Sequence, residues 1–108
     1  MNVKSMQLEF DFDIKDIYYY KNLVYNKLHP IIRSFIGKRY YEVHYLIYNE
    51  IKKELNVLQE DKHIKNWDVD VTRNELGEDY TFDTKIRIYP NNSPDTYLID
   101  YNVRINHG

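Results

Sequence analysis

Phe82-Asp83-Thr84-Lys85-Ile86-Arg87-Ile88-Tyr89 alternates without a break: Phe82, Thr84, Ile86 and Ile88 fall on one side, Asp83, Lys85, Arg87 and Tyr89 on the other. A period of two is the pattern of a strand with one face buried and one face wet. The same pattern stands on either side of it. Trp67, Val69 and Val71 alternate with Asp68, Asp70 and Thr72, and Tyr97, Ile99, Tyr101, Val103 and Ile105 alternate with Leu98, Asp100, Asn102 and Arg104. Residues 73–79, with Gly77, read as a loop, and Pro90-Asn91-Asn92-Ser93-Pro94-Asp95 as a turn. Connections this short join neighbouring antiparallel strands, so the three runs predict a meander.

Upstream the period changes. Ile17, Tyr20, Val24 and Leu28 recur at helical spacing behind Asp16, whose carboxylate can accept from the first free amides. Pro30 lacks an amide and disfavours helix at His29, which predicts a break there and a short second helix over 31–36 stopped by Gly37. Val43, Ile47, Ile51, Leu55 and Leu58 then mark one long helix over 40–58, with Leu46 and Tyr48 widening its apolar stripe. Ahead of all this, Met6, Leu8, Phe10, Phe12 and Ile14 alternate with Gln7, Glu9, Asp11 and Asp13, a further half-buried strand over 6–14. The order is β-α-(α)-α-β-β-β. A sheet with one apolar face and helices with one apolar stripe must cover each other, so the expected fold is a single α+β domain, 1–108, a two-layer sandwich with the helices on one face of the meander.

Composition narrows the function classes. At 108 residues and a formal charge of −2, the chain is neither a strongly basic nucleic-acid binder nor an acidic nucleic-acid mimic. It has no Cys, which removes a thiol nucleophile, a disulfide framework and a zinc ribbon. Three Gly, at 37, 77 and 108, make no phosphate-binding loop, and Ser5, Ser34 and Ser93 lack the setting of a catalytic serine. His29, His44, His63 and His107 show no metal-ligand spacing. No cofactor and no metal site are expected. No apolar run reaches the ~18–20 residues of a membrane span, and no signal-peptide core precedes residue 6.

Charge is unevenly placed. Residues 15–45 carry six bases and two acids, whereas residues 46–108 carry eight bases and twelve acids. Lys21, Lys27, Arg33, Lys38 and Arg39 lie on the first helices among Tyr18, Tyr19, Tyr25, Tyr40 and Tyr41. The outer face of the meander holds Asp68, Asp70, Asp83, Lys85, Arg87, Asp100, Asn102 and Arg104, with Tyr89 and Leu98 as its less polar members. A basic helical surface and an acidic sheet surface suit oriented protein–protein contact, and those five bases with Tyr89 and Leu98 are the candidate interaction residues. One chemical pattern stands beside this reading. Asp70 on one strand and Asp83-Thr84-Lys85 on the next follow the acid … acid-x-Lys order of metal-dependent nucleases, but such pairs also arise on any meander with a charged outer face.

The stretch Ile86-Arg87-Ile88-Tyr89-Pro90, followed by Ser93-Pro94-Asp95-Thr96-Tyr97-Leu98-Ile99-Asp100-Tyr101-Asn102-Val103, resembles the C-terminal domain of phage contractile-tail sheath proteins. Residues 41–106 are also similar in layout to small baseplate wedge proteins: a long helix, a strand, a hairpin, a Pro-containing turn and a last strand. The resemblance implies a non-enzymatic structural or assembly part of a phage tail, neck or baseplate, with neighbouring virion subunits or further copies as partners and the virion or host cytoplasm as its place. A chain with twelve Tyr, no Ala and abundant Ile, Asn and Lys fits an AT-rich source genome, as of a low-GC bacterium or its phage. The alternative is a small intracellular inhibitor that blocks a host or defence protein, since tyrosine is favoured at binding hot spots.

Overall fold

The computed structural model describes residues 16–106; the alternating run 6–14 and His107 lie outside the described residues. Three helices and three strands follow one another: α1 (Ile17–Phe35), α2 (Tyr40–Val43), α3 (Ile47–Glu60), β1 (Asn66–Leu76), β2 (Asp79–Tyr89) and β3 (Tyr97–Ile105). The strands form an antiparallel meander in the order β1-β2-β3. α1 lies against β3, α3 against β1, and the two helices pack on each other. The α+β sandwich expected from the alternation is the fold observed.

The register explains the two faces. Trp67, Val69 and Val71 stand opposite Ile88, Ile86 and Thr84, which in turn stand opposite Tyr97, Ile99 and Tyr101. These rows meet the buried stripes of α1 (Tyr20, Val24, Leu28, Phe35) and α3 (Ile47, Ile51, Leu55, Leu58) to form the core. The strands run further than the alternation suggested. β1 reaches Leu76 and β2 starts at Asp79, so the expected loop over 73–79 shrinks to the two residues Gly77 and Glu78. Gly77 has φ +68°, a backbone conformation that glycine takes without steric cost.

The helices correct two expectations. α1 is continuous through Pro30. Its N-cap Asp16 accepts a hydrogen bond from the Tyr19 amide at 3.0 Å, and its apolar stripe continues on both sides of the proline, to Leu28 before it and Phe35 after it. Burial of Phe35, with Ile31 and Ile32 half-buried, outweighs the lost amide. Pro30 faces solvent, so the carbonyl it leaves free lies on the wet side, where water can serve it. Past its end, Gly37 takes φ +85° and the Lys38 amide donates to the Phe35 carbonyl at 2.9 Å.

The expected single helix over 40–58 is instead α2 and α3 with a turn at 44–46. The cause lies 29 positions away: the Arg73 Nε–H of β1 donates to the His44 carbonyl at 2.8 Å, and Leu46 donates to Val43 three residues back. The Tyr80 hydroxyl holds the preceding connection, between α1 and α2, donating to the Lys38 carbonyl at 2.7 Å. Burial raises the Tyr80 hydroxyl above its ordinary pKa, and the Glu42 charge adds to the effect.

α3 ends in a double turn, with the Lys62 amide donating to Gln59 at 3.0 Å and the His63 amide to Leu58 at 2.9 Å. This is the arrangement in which glycine normally supplies the left-handed residue, yet here Lys62 supplies it at φ 65°. Lys62→Gly is therefore expected to raise stability by about 0.5–1 kcal/mol in urea denaturation, against the usual destabilising effect of adding a glycine. A loss of stability would show that the Lys62 side chain contributes more than its backbone costs.

Candidate interaction surfaces

Helices cover the inner face of the meander, whereas the described residues leave its outer face bare. Across the three strands the outer rows read Asp68–Arg87–Leu98, Asp70–Lys85–Asp100, Thr72–Asp83–Asn102 and Asn74–Thr81–Arg104. Acids and bases thus stand directly opposite one another, but the side chains do not close most of these pairs. Arg104 bridges diagonally to Asp79 at 2.9 Å. Arg87 turns toward the Thr96 hydroxyl at 3.5 Å, and Asp68 accepts from the Tyr89 hydroxyl at 3.0 Å. That hydrogen bond is the main reason the Tyr89 hydroxyl sits above its ordinary pKa, with burial next. Among the described residues, Lys85 reaches salt-bridge distance of neither Asp70 nor Asp100. A shallow groove of about 370 Å³ runs between Asp68, Asp70, Lys85, Arg87 and Leu98, and Leu98 on its rim is 51% exposed. Tyr89 and Leu98 thus share the outer face, as expected.

The five bases do not form one patch. Lys21, Lys27 and Arg33 are each six positions apart, which is roughly 120° around a helix, so they encircle α1. Lys21 and Lys27 flank the buried stripe on its two sides and are half-buried, whereas Arg33 points outward. Lys38 and Arg39 stand exposed in the connection to α2. The Arg39 amide is spent locally, donating to the Glu42 carboxylate at 2.6 Å.

A surface that the charge pattern did not single out lies along α2 and α3. Tyr41, Tyr45 and Tyr48 are 68%, 61% and 36% exposed, where Tyr48 was expected to widen the buried stripe. Their spacing of four and three is that of one helical side, although the turn at 44–46 interrupts the helix between Tyr41 on α2 and Tyr48 on α3. The Lys52 ammonium sits 4.9 Å from the Tyr48 ring centre, and Tyr40 stacks on His44 at 4.9 Å. The spacing alone could have shown this tyrosine row, because it runs beside the apolar stripe and not within it.

The nuclease pattern changes shape in the structure. Asp70 faces Lys85, while Asp83 faces Thr72 two positions along, so the two carboxylates are diagonal rather than opposite. Among the described residues no three His, Asp or Glu side chains are grouped to hold a metal ion. His29 shares a 2.8 Å hydrogen bond with the Tyr101 hydroxyl, whose pKa is raised chiefly by burial. His44 is half-buried and His63 exposed. No helix among the described residues is long and apolar enough to cross a membrane. No protein-family model matches the chain, and neither the curated proteins nor the solved structures offer a match.

Proposed function

We propose that this chain is a small non-enzymatic structural or assembly protein of phage type, a tail, neck or baseplate part that works through protein–protein contacts. The observation that carries the reading is the outer sheet face. It is uncovered among the described residues, it presents Leu98, and it leaves Lys85, Asp70 and Asp100 to find partners across an interface. Charged groups of both signs in fixed rows set orientation and register more than raw affinity, which is what repeated assembly requires. The likeness of residues 41–106 to tail-sheath C-terminal domains supports the virion setting. The partners are further copies or neighbouring virion subunits.

A second reading has its own support. Tyr41, Tyr45 and Tyr48 form an exposed aromatic row of the kind that anchors stoichiometric complexes, as an inhibitor of a host or defence protein would use. Substitution separates the two surfaces. Leu98→Asp is expected to weaken self- or virion-subunit association at least tenfold by light scattering, while Tyr45→Ala leaves it within twofold. The reverse pattern would transfer the function to the tyrosine row.

A further inference from the structure

Building on that assembly reading, we propose that the partner at the outer sheet face is a second copy of this chain. The two copies pack face to face about a two-fold axis that crosses the strands between Asp83 and Lys85, so that each Lys85 meets Asp83 of the other copy. Both groups point outward from the central strand, Lys85 exposed and Asp83 half-buried. Among the described residues neither closes an ion pair. Lys85 stands between two acids, Asp70 and Asp100, whereas Asp83 stands between Thr72 and Asn102, which offer it no cation. An acid next to a base on one face is self-complementary, because a half-turn about an axis between them sets each over the other.

Charge selects this axis. Sheets packed face to face keep their strand directions within about 30° of each other, so an axis lying in the interface runs either along the strands or across them. An axis along β2 covers all three strands but sets Asp70 over Asp100 and Lys85 over itself. An axis across the strands through Lys85 or through Asp83 sets that residue over its own copy. One between Lys85 and Arg87 sets two bases together and Asp68 over Asp70. One between Thr81 and Asp83 leaves the row of Arg87 and the exposed Leu98 uncovered. Between Asp83 and Lys85 no like charges meet. Acid faces base on β2, Asp70 faces Thr72, and Asp100 faces Asn102, so each carboxylate gains a hydrogen-bond donor.

Distances suit the pairing. Face-to-face sheets lie about 10 Å apart, a gap that a lysine and an aspartate reaching from opposite sides can close. The crossing of two twisted sheets carries their corners out of register, whereas groups beside the axis on the central strand stay together. Paired charges of this kind fix the register of the two copies and penalise slipped ones.

Sedimentation equilibrium on the full chain and on the single variants Lys85→Glu and Asp83→Lys tests this, with circular dichroism melts showing that each folds. Either reversal alone is expected to weaken the dimer at least about tenfold, because it sets like charges over each other at both symmetric positions. An equal mixture of the two variants is expected to regain dimer to within about threefold of the unmodified chain, because each reversed group then meets an opposite charge. The chain carrying both changes should dimerise by itself for the same reason. Loss of dimer with Lys85→Glu but not with Asp83→Lys, and no recovery in the mixture, would overturn the pairing while the assembly reading stands. A chain that stays monomeric but binds a neighbouring virion subunit would overturn the second copy as partner and keep that reading. A monomer that binds no such subunit would overturn both.

Discussion

Phe82→Ala is expected to destabilise the fold by about 3–5 kcal/mol, enough to leave a chain of this size largely unfolded near body temperature. Phe82 is fully buried in the central strand, and its ring packs edge-on against Phe35 from α1 at 6.1 Å and against Tyr80 at 5.5 Å. Truncation would remove both aromatic contacts and leave a cavity where the far end of α1 meets the sheet, with little room for the rigid strands to collapse into it. Urea denaturation followed by tryptophan fluorescence reads the change, since Trp67 reports on β1. A loss below about 1 kcal/mol would mean that the α1–sheet contact is not built as described.

Pro30→Ala is expected to act in the opposite direction, raising stability by about 2 kcal/mol and the melting midpoint by roughly 5–10 °C. A proline inside a helix costs about 3 kcal/mol relative to alanine, and part of that gain is returned because alanine loosens the unfolded chain. The gain depends on α1 being one helix from Ile17 to Phe35. If the chain instead breaks at His29, as the local proline rule suggests, position 30 is the first turn of a new helix, where proline is favoured, and the substitution would be neutral or destabilising. Differential scanning calorimetry of the two chains separates these outcomes.

That proline shows where sequence reading reached its limit. The strands were legible because alternation is a local signal that burial on one face reinforces, and Phe82, Ile86 and Ile99 all point inward as their parity requires. The rule at Pro30 is also local, but the packing of Phe35 and the hold of Tyr101 on His29 override it, and both partners are distant in sequence. The break at 44–46 has the same character, since it answers to Arg73 on β1 and nothing near His44 announces it. The outer face could be read in advance to the level of single residues, Tyr89 and Leu98 included. The basic surface could not, because counting bases along α1 ignores that spacings of six send them around the helix. The tyrosine row was written at helical spacing in Tyr41, Tyr45 and Tyr48, but assigning Tyr48 to the buried stripe concealed it.

On the proposed function, this chain assembles through the outer face of its sheet. Its mass by light scattering coupled to gel filtration, across a concentration and salt series, decides the matter. A discrete oligomer that weakens as salt rises is the expected result, because the rows around Lys85 and Arg87 would make charged contacts at the interface. A clean monomer at every concentration, unchanged by salt and by Leu98→Asp, and with no virion subunit bound, would contradict it.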